Sequence, residues 1–504
     1  MSYIDEFDLL PRPRPAASFE AERLLWFLVV ASGAVLVWQL PWPTPLEFAG
    51  LAIDRLSAVA GLFVAVVGGV VHRFASRSME GHPERGRFLA LLAFSTCMAF
   101  LVSCASNLLL LAVAWVLLSA SVHQLLVFGD DTRSASRAAR RKFMAARLGE
   151  MALFAAIGLL WWHGRSFEIG ACLAAAEGMP RHALVPIASL LVIAAMARSV
   201  QVPFHAWLPD TMQAPTPVSA LLHAGIVNAG GILLIRFAPI VVRVSEACVL
   251  LSAVGTITIV VGALAMQQQL RVKQTLAWST VAQMGFMVVQ CAVAAFPAAL
   301  LHLIGHGAYK ALAFLRSGET PRRARAIGPA WWNLALLGAG TLAAIACMGP
   351  ASRWTGFDPR HAPGETALAL VVAIGVGQAW VAALGGCGRA VLAIARGLGT
   401  AIGIAVAAPV LCFAAYRAAG IFLQPVIGDL PRATGPLMTL AAVMPAVAIA
   451  MLALAHAAQP WLGRIAVWRS MQVQARAGFH LGARLDRVLD AFLPAGPNAE
   501  TRHA

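Results

Sequence analysis

The sequence predicts an all-α, polytopic membrane bundle of about fourteen transmembrane helices, with one broken helix and a C-terminal amphipathic helix. Three observations predict it. The 504 residues have a mean hydropathy of +0.75, with 60% hydrophobic and only 12% charged residues. A soluble domain carries about 25% charged residues. Apolar runs recur along the chain, each near the roughly 20 residues that cross a hydrocarbon core. Between 198 and 236, one such stretch is interrupted by Pro203, Pro209, Pro215 and Pro217. Proline removes a backbone donor and clashes with the preceding turn, so a continuous helix is not expected there.

The runs fall at 24–40, 49–72, 88–104, 107–128, 148–162, 183–201, 217–242, 246–266, 276–294, 299–316, 331–349, 365–386, 397–417 and 435–458. Before them, residues 1–23 contain Pro11, Pro13 and Pro15 among mixed charges. They lack the basic-then-apolar order of a cleaved signal peptide. After them, residues 459–504 form a polar tail. Trp461, Ile465, Trp468, Ala475, Phe479, Leu485, Val488 and Phe492 recur in it near helical spacing, with Arg464, Arg469, Arg476, Arg484 and Arg487 between. An interfacial helix lying on lipid and a surface for a partner protein both fit that pattern. The expected organisation is a segment 1–23, a transmembrane domain 24–458 and a tail 459–504.

The net charge of +15 is a topology signal. With fourteen crossings, one side holds both termini and 27 of the 38 Lys and Arg residues, and the other side holds eight. The positive-inside rule puts both termini in the cytoplasm. Nucleic acid is not indicated as a partner; membrane lipid is. The cysteines are scattered without ligand spacing, and Cys97 and Cys104 on one helical face read as packing. The chain offers no metal site, no cofactor site and no soluble catalytic domain.

Ionisable groups inside apolar spans cost roughly 2.5–3.5 kcal/mol each and need a reason. His302, His306 and Lys310 stand at i, i+4 and i+8, on one helix face. Two imidazoles beside a lysine that can release its proton form a relay, against the simpler reading of interhelical hydrogen bonds and a lysine paired to a hidden acid. Arg198 precedes the break as a fixed charge, or snorkels to the interface. Glu150 is placed to pair with Arg198 or Lys310, or to sit at the interface beside Arg147. His223 faces the break one and a half turns into its helix, where a relay role and a structural one both fit. Lys273 belongs to a loop, His123 to the interface, and Asp54 and Arg55 to local packing.

These residues lie in a set of motifs. They are DRLSAV at 54–59, HRFASRSM at 72–79, NLLLLAVAW at 107–115, RSVQVPFHAWLPDTMQAPTPVSALLHAG from 198, VKQTLAWSTVAQMGFM from 272 and HLIGHGAYKALAFL from 302. The set, spread over 49–320, resembles the proton-translocating antiporter family, which includes the large membrane subunits of respiratory complex I and of Mrp-type antiporters. Within it, SASVHQLLVFGDD, RRKFMAARLGE, GHGAYKALAFLRSGE and the short tail resemble the DabB branch, the membrane subunits of inorganic-carbon accumulation complexes.

The resemblance implies a cation-conducting subunit, carrying protons or Na+. Its gradient would drive CO2 hydration to bicarbonate by a large DabA-like partner that holds zinc. This chain would then be a transport subunit and not itself an enzyme, with Glu150, Arg198, His223, His302, His306 and Lys310 as the translocation candidates. Three departures keep other readings open. Val116 stands where complex I homologues have glutamate, Arg198 stands where they have lysine, and no lysine follows Lys310. A subunit of a complex I-like or Mrp-type cation pump is one alternative, and a non-conducting membrane anchor is the other.

Overall fold

The computed structural model describes residues 16–42, 44–128, 133–318, 328–385, 391–431 and 433–492. Ala16–Gln39 forms α1, largely exposed along its apolar window. A two-stranded hairpin, β1 Leu46–Phe48 and β2 Leu51–Ile53, follows, turning at Ala49 and Gly50, both at positive φ. The second predicted span therefore begins later than residue 49. Its helix, α2 (Arg55–Ser78), starts at Asp54, whose side chain caps it by accepting from the Ser57 amide at 2.8 Å. After α3 (Arg85–Cys104), Asn107 caps α4 (Leu108–Leu126) in the same way.

The largest departure in the first half is α5, Arg133–Gly164. Residues 133–147 were expected as a basic loop. They contain neither proline nor glycine and are rich in alanine and arginine, so nothing stops the helix from starting early. Short α6 (Ile169–Glu177) and α7 (Arg181–Arg198) follow.

The expected break is present, and it is double. α7 stops at Arg198, and the chain passes through a cis Val202–Pro203 bond to one-turn α8 (Trp207–Asp210). A second turn leads to α9 (Thr216–Ala224), with Pro217 in its first turn. Gly225 then interrupts the helix before α10 (Ala229–Arg236). Every residue in the apolar window of 216–236 is buried, so protein rather than lipid surrounds the irregular backbone. Side chains take up the freed groups. Thr258 Oγ1 accepts from the Val202 amide at 3.0 Å, Ser199 Oγ donates to the Val227 carbonyl at 3.0 Å, and Asn228 Nδ2 donates to the Ala224 carbonyl at 2.7 Å. Gly230 lets α10 lie directly on α7: a Cβ there would come within 2.5 Å of the Ala195 carbonyl oxygen.

One-turn α11 (Ala238–Val241) leads to α12 (Ser245–Gln267), α13 (Val272–Ala292) and α14 (Phe296–Leu315). Then come α15 (Ala330–Thr355), α16 (Pro363–Leu384), α17 (Val391–Ile427) and α18 (Pro436–Ala457). Among the described residues, 13 helices are long and apolar enough to cross a membrane. The expected fourteenth corresponds to α13, whose apolarity is diluted by Lys273, Gln274, Thr275, Thr280, Gln283 and Gln290. At 21 residues it is about 31 Å long, and it packs between α12 and α14. Lys273, expected in a loop, sits in its first turn.

The tail is not one helix. It forms α19 (Gln459–Leu462), α20 (Ala466–Arg476) and α21 (Leu481–Phe492). The break falls at Gly478, Phe479 and His480, all at positive φ. Gly478 lies against Trp278 of α13, where a Cβ would stand 2.7 Å from the indole ring. The tail folds onto its own bundle. Gln269 Nε2 donates to the Arg476 carbonyl at 3.3 Å, and Ala475 is buried. Arg141 of α5 donates through Nε to Asp486 Oδ1 at 2.6 Å, and also binds Asp486 Oδ2 and Asp210 of α8. Trp461, Ile465, Val467 and Val473 remain exposed.

Candidate ion-translocation site

The broken segment has a charged cluster at its near end and a polar row beside its middle, at α9. The cluster forms where α4, α5 and α7 meet. Arg198 does not snorkel. It is 9% exposed and lies over the Trp115 ring at 5.0 Å, with Nε and Nη2 unpartnered. Beside it is a cavity of about 20 Å³ lined by Trp115, Lys142, Gly149 and Val227, room for one water. Glu150 is buried and pairs with Arg147, Oε2 to Nη2, at 2.7 Å. It makes no ion pair with Arg198 or Lys310. Its pairing with Arg147 is thus the expected interfacial one, moved into the interior.

Lys142 was not foreseen. It is buried, and its Nζ donates to Ser119 Oγ at 2.9 Å and to the Ser119 carbonyl. It reads in sequence as one more charge of a basic loop. The early start of α5 carries it inside, and the signal that could have found it is the unbroken run of helix formers before residue 148. Val116, next to Trp115 on α4, is half-buried and offers Arg198 no counter-charge.

The polar row runs along α14. His302 Nδ1 is hydrogen bonded to Gln290 Oε1 at 3.0 Å, and its ring lies 5.8 Å from that of His306, centre to centre. Lys310 is fully buried, and its Nζ donates to the Leu276 carbonyl of α13 at 2.8 Å. Its described partner is thus a carbonyl, not the hidden acid of the simpler reading. The same carbonyl accepts from Thr280 Oγ1 at 3.0 Å, and Thr280 Oγ1 lies 2.9 Å from His223 Nδ1. Lys310 and His223 are therefore joined through one oxygen and one hydroxyl. His223 stacks on Phe314 at 4.3 Å, and its Nε2, like those of His302 and His306, has no partner. Gly307 makes this possible by letting α14 close on α9: a Cβ there would meet the Ala224 carbonyl oxygen at 2.5 Å.

Of the six predicted residues, the structure brings His223, His302, His306 and Lys310 into one row and puts Glu150 and Arg198 in the other cluster. Asp54 and Arg55 serve packing: Asp54 pairs with Arg236, and Arg55 donates to the carbonyls of Gln39 and Leu40 at 3.1 and 2.9 Å. His123 is half-buried against Phe143.

Residues 105–355, which contain all six, match the membrane-domain family of NADH:quinone oxidoreductases and Mrp antiporters. That half of the chain belongs to the antiporter family. The antiporter-family chain is 38% identical over 323 residues to a probable inorganic carbon transporter subunit DabB of Hydrogenovibrio crunogenus, covering 61% of this chain and 62% of the relative. It is 36% identical to the chloroplastic NAD(P)H-quinone oxidoreductase subunit 5 of Chloranthus spicatus, over 56% of this chain and 39% of the relative. The antiporter-family chain thus spans between about two-fifths and three-fifths of these relatives' lengths. Its fold is that of a chain in the Mrp complex of Dietzia sp., with a TM-score of 0.56 at 24% identity, covering 94% of this chain and 58% of that one. A chain of an archaeal membrane-bound sulfane sulfur reductase shares the fold with a TM-score of 0.54 at 17% identity, covering 93% of each.

Proposed function

We propose that this multi-pass membrane protein is the cation-conducting subunit of a two-component inorganic-carbon transporter, with protons as the carried ion. The observation that carries the reading is the buried row His302–His306–Lys310, continued through the Leu276 carbonyl and Thr280 to His223. A row of titratable groups held by uncharged partners can take up and release protons without breaking an ion pair. Arg198 keeps its proton and acts as a fixed charge beside the path.

The partner is a DabA-like, zinc-holding protein that performs CO2 hydration, and this chain supplies the ion flow. The similarity to a probable DabB subunit supports that assignment. The charge distribution supports an inner-membrane orientation with both termini cytoplasmic. The test is proton flux, followed with a pH dye, in liposomes holding the chain with its co-purified partner. Lys310→Ala should abolish flux while leaving insertion and partner binding intact, and zinc should travel with the partner. Normal flux from that variant would remove the central residue of the reading.

A second reading is a subunit of a complex I-like or Mrp-type pump, favoured by the 36% identity to a quinone oxidoreductase subunit. Co-purification of small multispanning or quinone-oxidoreductase subunits in place of a zinc protein would decide for it.

A further inference from the structure

The row on α14 ends at a second cavity, and that cavity ends at a carboxylate. About 550 Å³ of open space lies between α13, α14, α16 and α17, lined by Gln290, His302, His306, Glu365, Cys412 and Tyr416 among apolar residues. His302 and His306 belong to its lining, and their Nε2 atoms are buried and unpartnered. Glu365 stands in the first turn of α16, where its Oε1 accepts a hydrogen bond from Tyr416 Oη of α17 at 3.2 Å. Ionisable groups nearby are Asp358, paired to Arg360 at 3.0 Å, and His361 on the preceding turn, and Arg417, which follows Tyr416 on α17 and donates to the Thr355 carbonyl.

The position of Glu365 relative to the row follows from backbone contact. Gly364 lies against Val293 in the turn between α13 and α14, so closely that a Cβ would come within 2.4 Å of the Val293 carbonyl oxygen. The start of α16 is therefore at the same end of the bundle as the start of α14. His302 is nearer that end than Lys310 by eight residues, about 12 Å along the helix. The row thus presents its His302 end to the cavity and to Glu365, and its Lys310 end to the interior and His223.

We propose that Glu365 is the terminal proton-exchange group of this path, passing protons between His302 and the aqueous phase on the side away from the termini, with Tyr416 as its positioning residue. This rests on the conduction reading above. In the outward direction, His302 takes up a proton from the His306 side of the row and then breaks its Nε2–H bond; the proton crosses water in the cavity and forms an O–H bond on the Glu365 carboxylate. It then leaves to bulk water. Each group ends as it began, and no other bond changes. Among its mostly apolar side chains, Gln290, Glu365 and Tyr416 are groups that can hold water in the cavity. The competing occupant is a lipid acyl chain, which would match the apolar remainder of the lining and make Glu365 a bystander.

The experiment uses the chain with its partner in liposomes, with the pH dye and wild type and Lys310→Ala as references. Glu365→Gln keeps the size of the side chain and the acceptor for Tyr416, and should lower Lys310-dependent flux by about a hundredfold, the range for loss of a positioned proton carrier. Glu365→Asp should restore most of it. Glu365→His should conduct with its pH optimum moved toward the imidazole range, near about 6.5. Tyr416→Phe should shift the pH profile without abolishing flux.

Full flux in Glu365→Gln, with Lys310→Ala inactive, overturns the proposal and leaves the conduction reading standing; it is the result an acyl-filled cavity gives. A common loss in Gln, Asp and His variants, with an unmoved pH profile in Tyr416→Phe, also overturns it, because a structural role behaves that way. Absence of Lys310-dependent flux in wild type removes the conduction reading and this proposal together.

Discussion

Replacing Arg141 should release the tail. Its guanidinium binds Asp486 of α21 through two nitrogens and Asp210 of α8 through the third. The Arg141 side chain is 10% exposed, Asp486 24% and Asp210 40%. Breaking a fully buried pair costs about 3–5 kcal/mol, and an exposed one contributes about 0–1 kcal/mol. The bidentate Asp486 arm lies between these limits, nearer the buried one, and the Asp210 arm lies near the exposed limit. We therefore expect Arg141→Met, which keeps the apolar stem, to weaken docking of α21 by about 2 kcal/mol, a rise of roughly thirtyfold in the undocked population. The assay is limited trypsin digestion in detergent, following cleavage after Arg484 and Arg487. Under conditions where opening is fast, the rate follows that population. Asp486→Asn should speed cleavage more than Asp210→Asn, and either change combined with Arg141→Met should be less than additive. Wild-type cleavage in Arg141→Met, or a larger effect from Asp210, would refute the reasoning.

Three further outcomes follow from the geometry. Gly230→Ala should separate α7 from α10, because its Cβ would overlap the Ala195 carbonyl and Ser199 Oγ; thermal melting should show a loss of about 1–3 kcal/mol. Thr280→Val removes the hydroxyl between Leu276 and His223, and should cut proton flux more sharply than it lowers stability, the latter by about 1–2 kcal/mol. Lys142→Met replaces a buried ammonium by an apolar group of similar length and should leave melting unchanged or raised, while reduced flux would place Lys142 on the path and full flux would remove it.

The break at 198–236 was legible because its cause is covalent: prolines remove donors wherever the chain goes. The i, i+4, i+8 row was legible for a similar reason, since helical spacing alone puts three groups on one face. Lys142 was hidden because its burial depends on where α5 starts, and charge counting assigned residues 133–147 to a loop. The break at Gly478 depends on Trp278, about two hundred residues away, and leaves no local mark. Glu365 was invisible for another reason. A single carboxylate near the end of an apolar run reads as an interfacial charge, and only the contact of Gly364 with Val293 brings it to the mouth of the row. The span count differed by α13 because a helix enclosed by other helices can carry glutamines and threonines that a lipid-facing one cannot.

The Leu276 carbonyl is oversubscribed. It accepts from Lys310 Nζ and from Thr280 Oγ1, and as a helical residue it also faces the amide four positions ahead. An oxygen with two lone pairs cannot serve three donors well at once. When Lys310 turns away, the hydroxyl gains the oxygen, and its hold on His223 Nδ1 changes without the lysine and the histidine ever touching. The lysine and the histidine are thereby coupled through a shared carbonyl. The imidazole resonances of His223 in Lys310→Met would show it: they should move in the wild-type Thr280 background and stay fixed once Thr280 is valine.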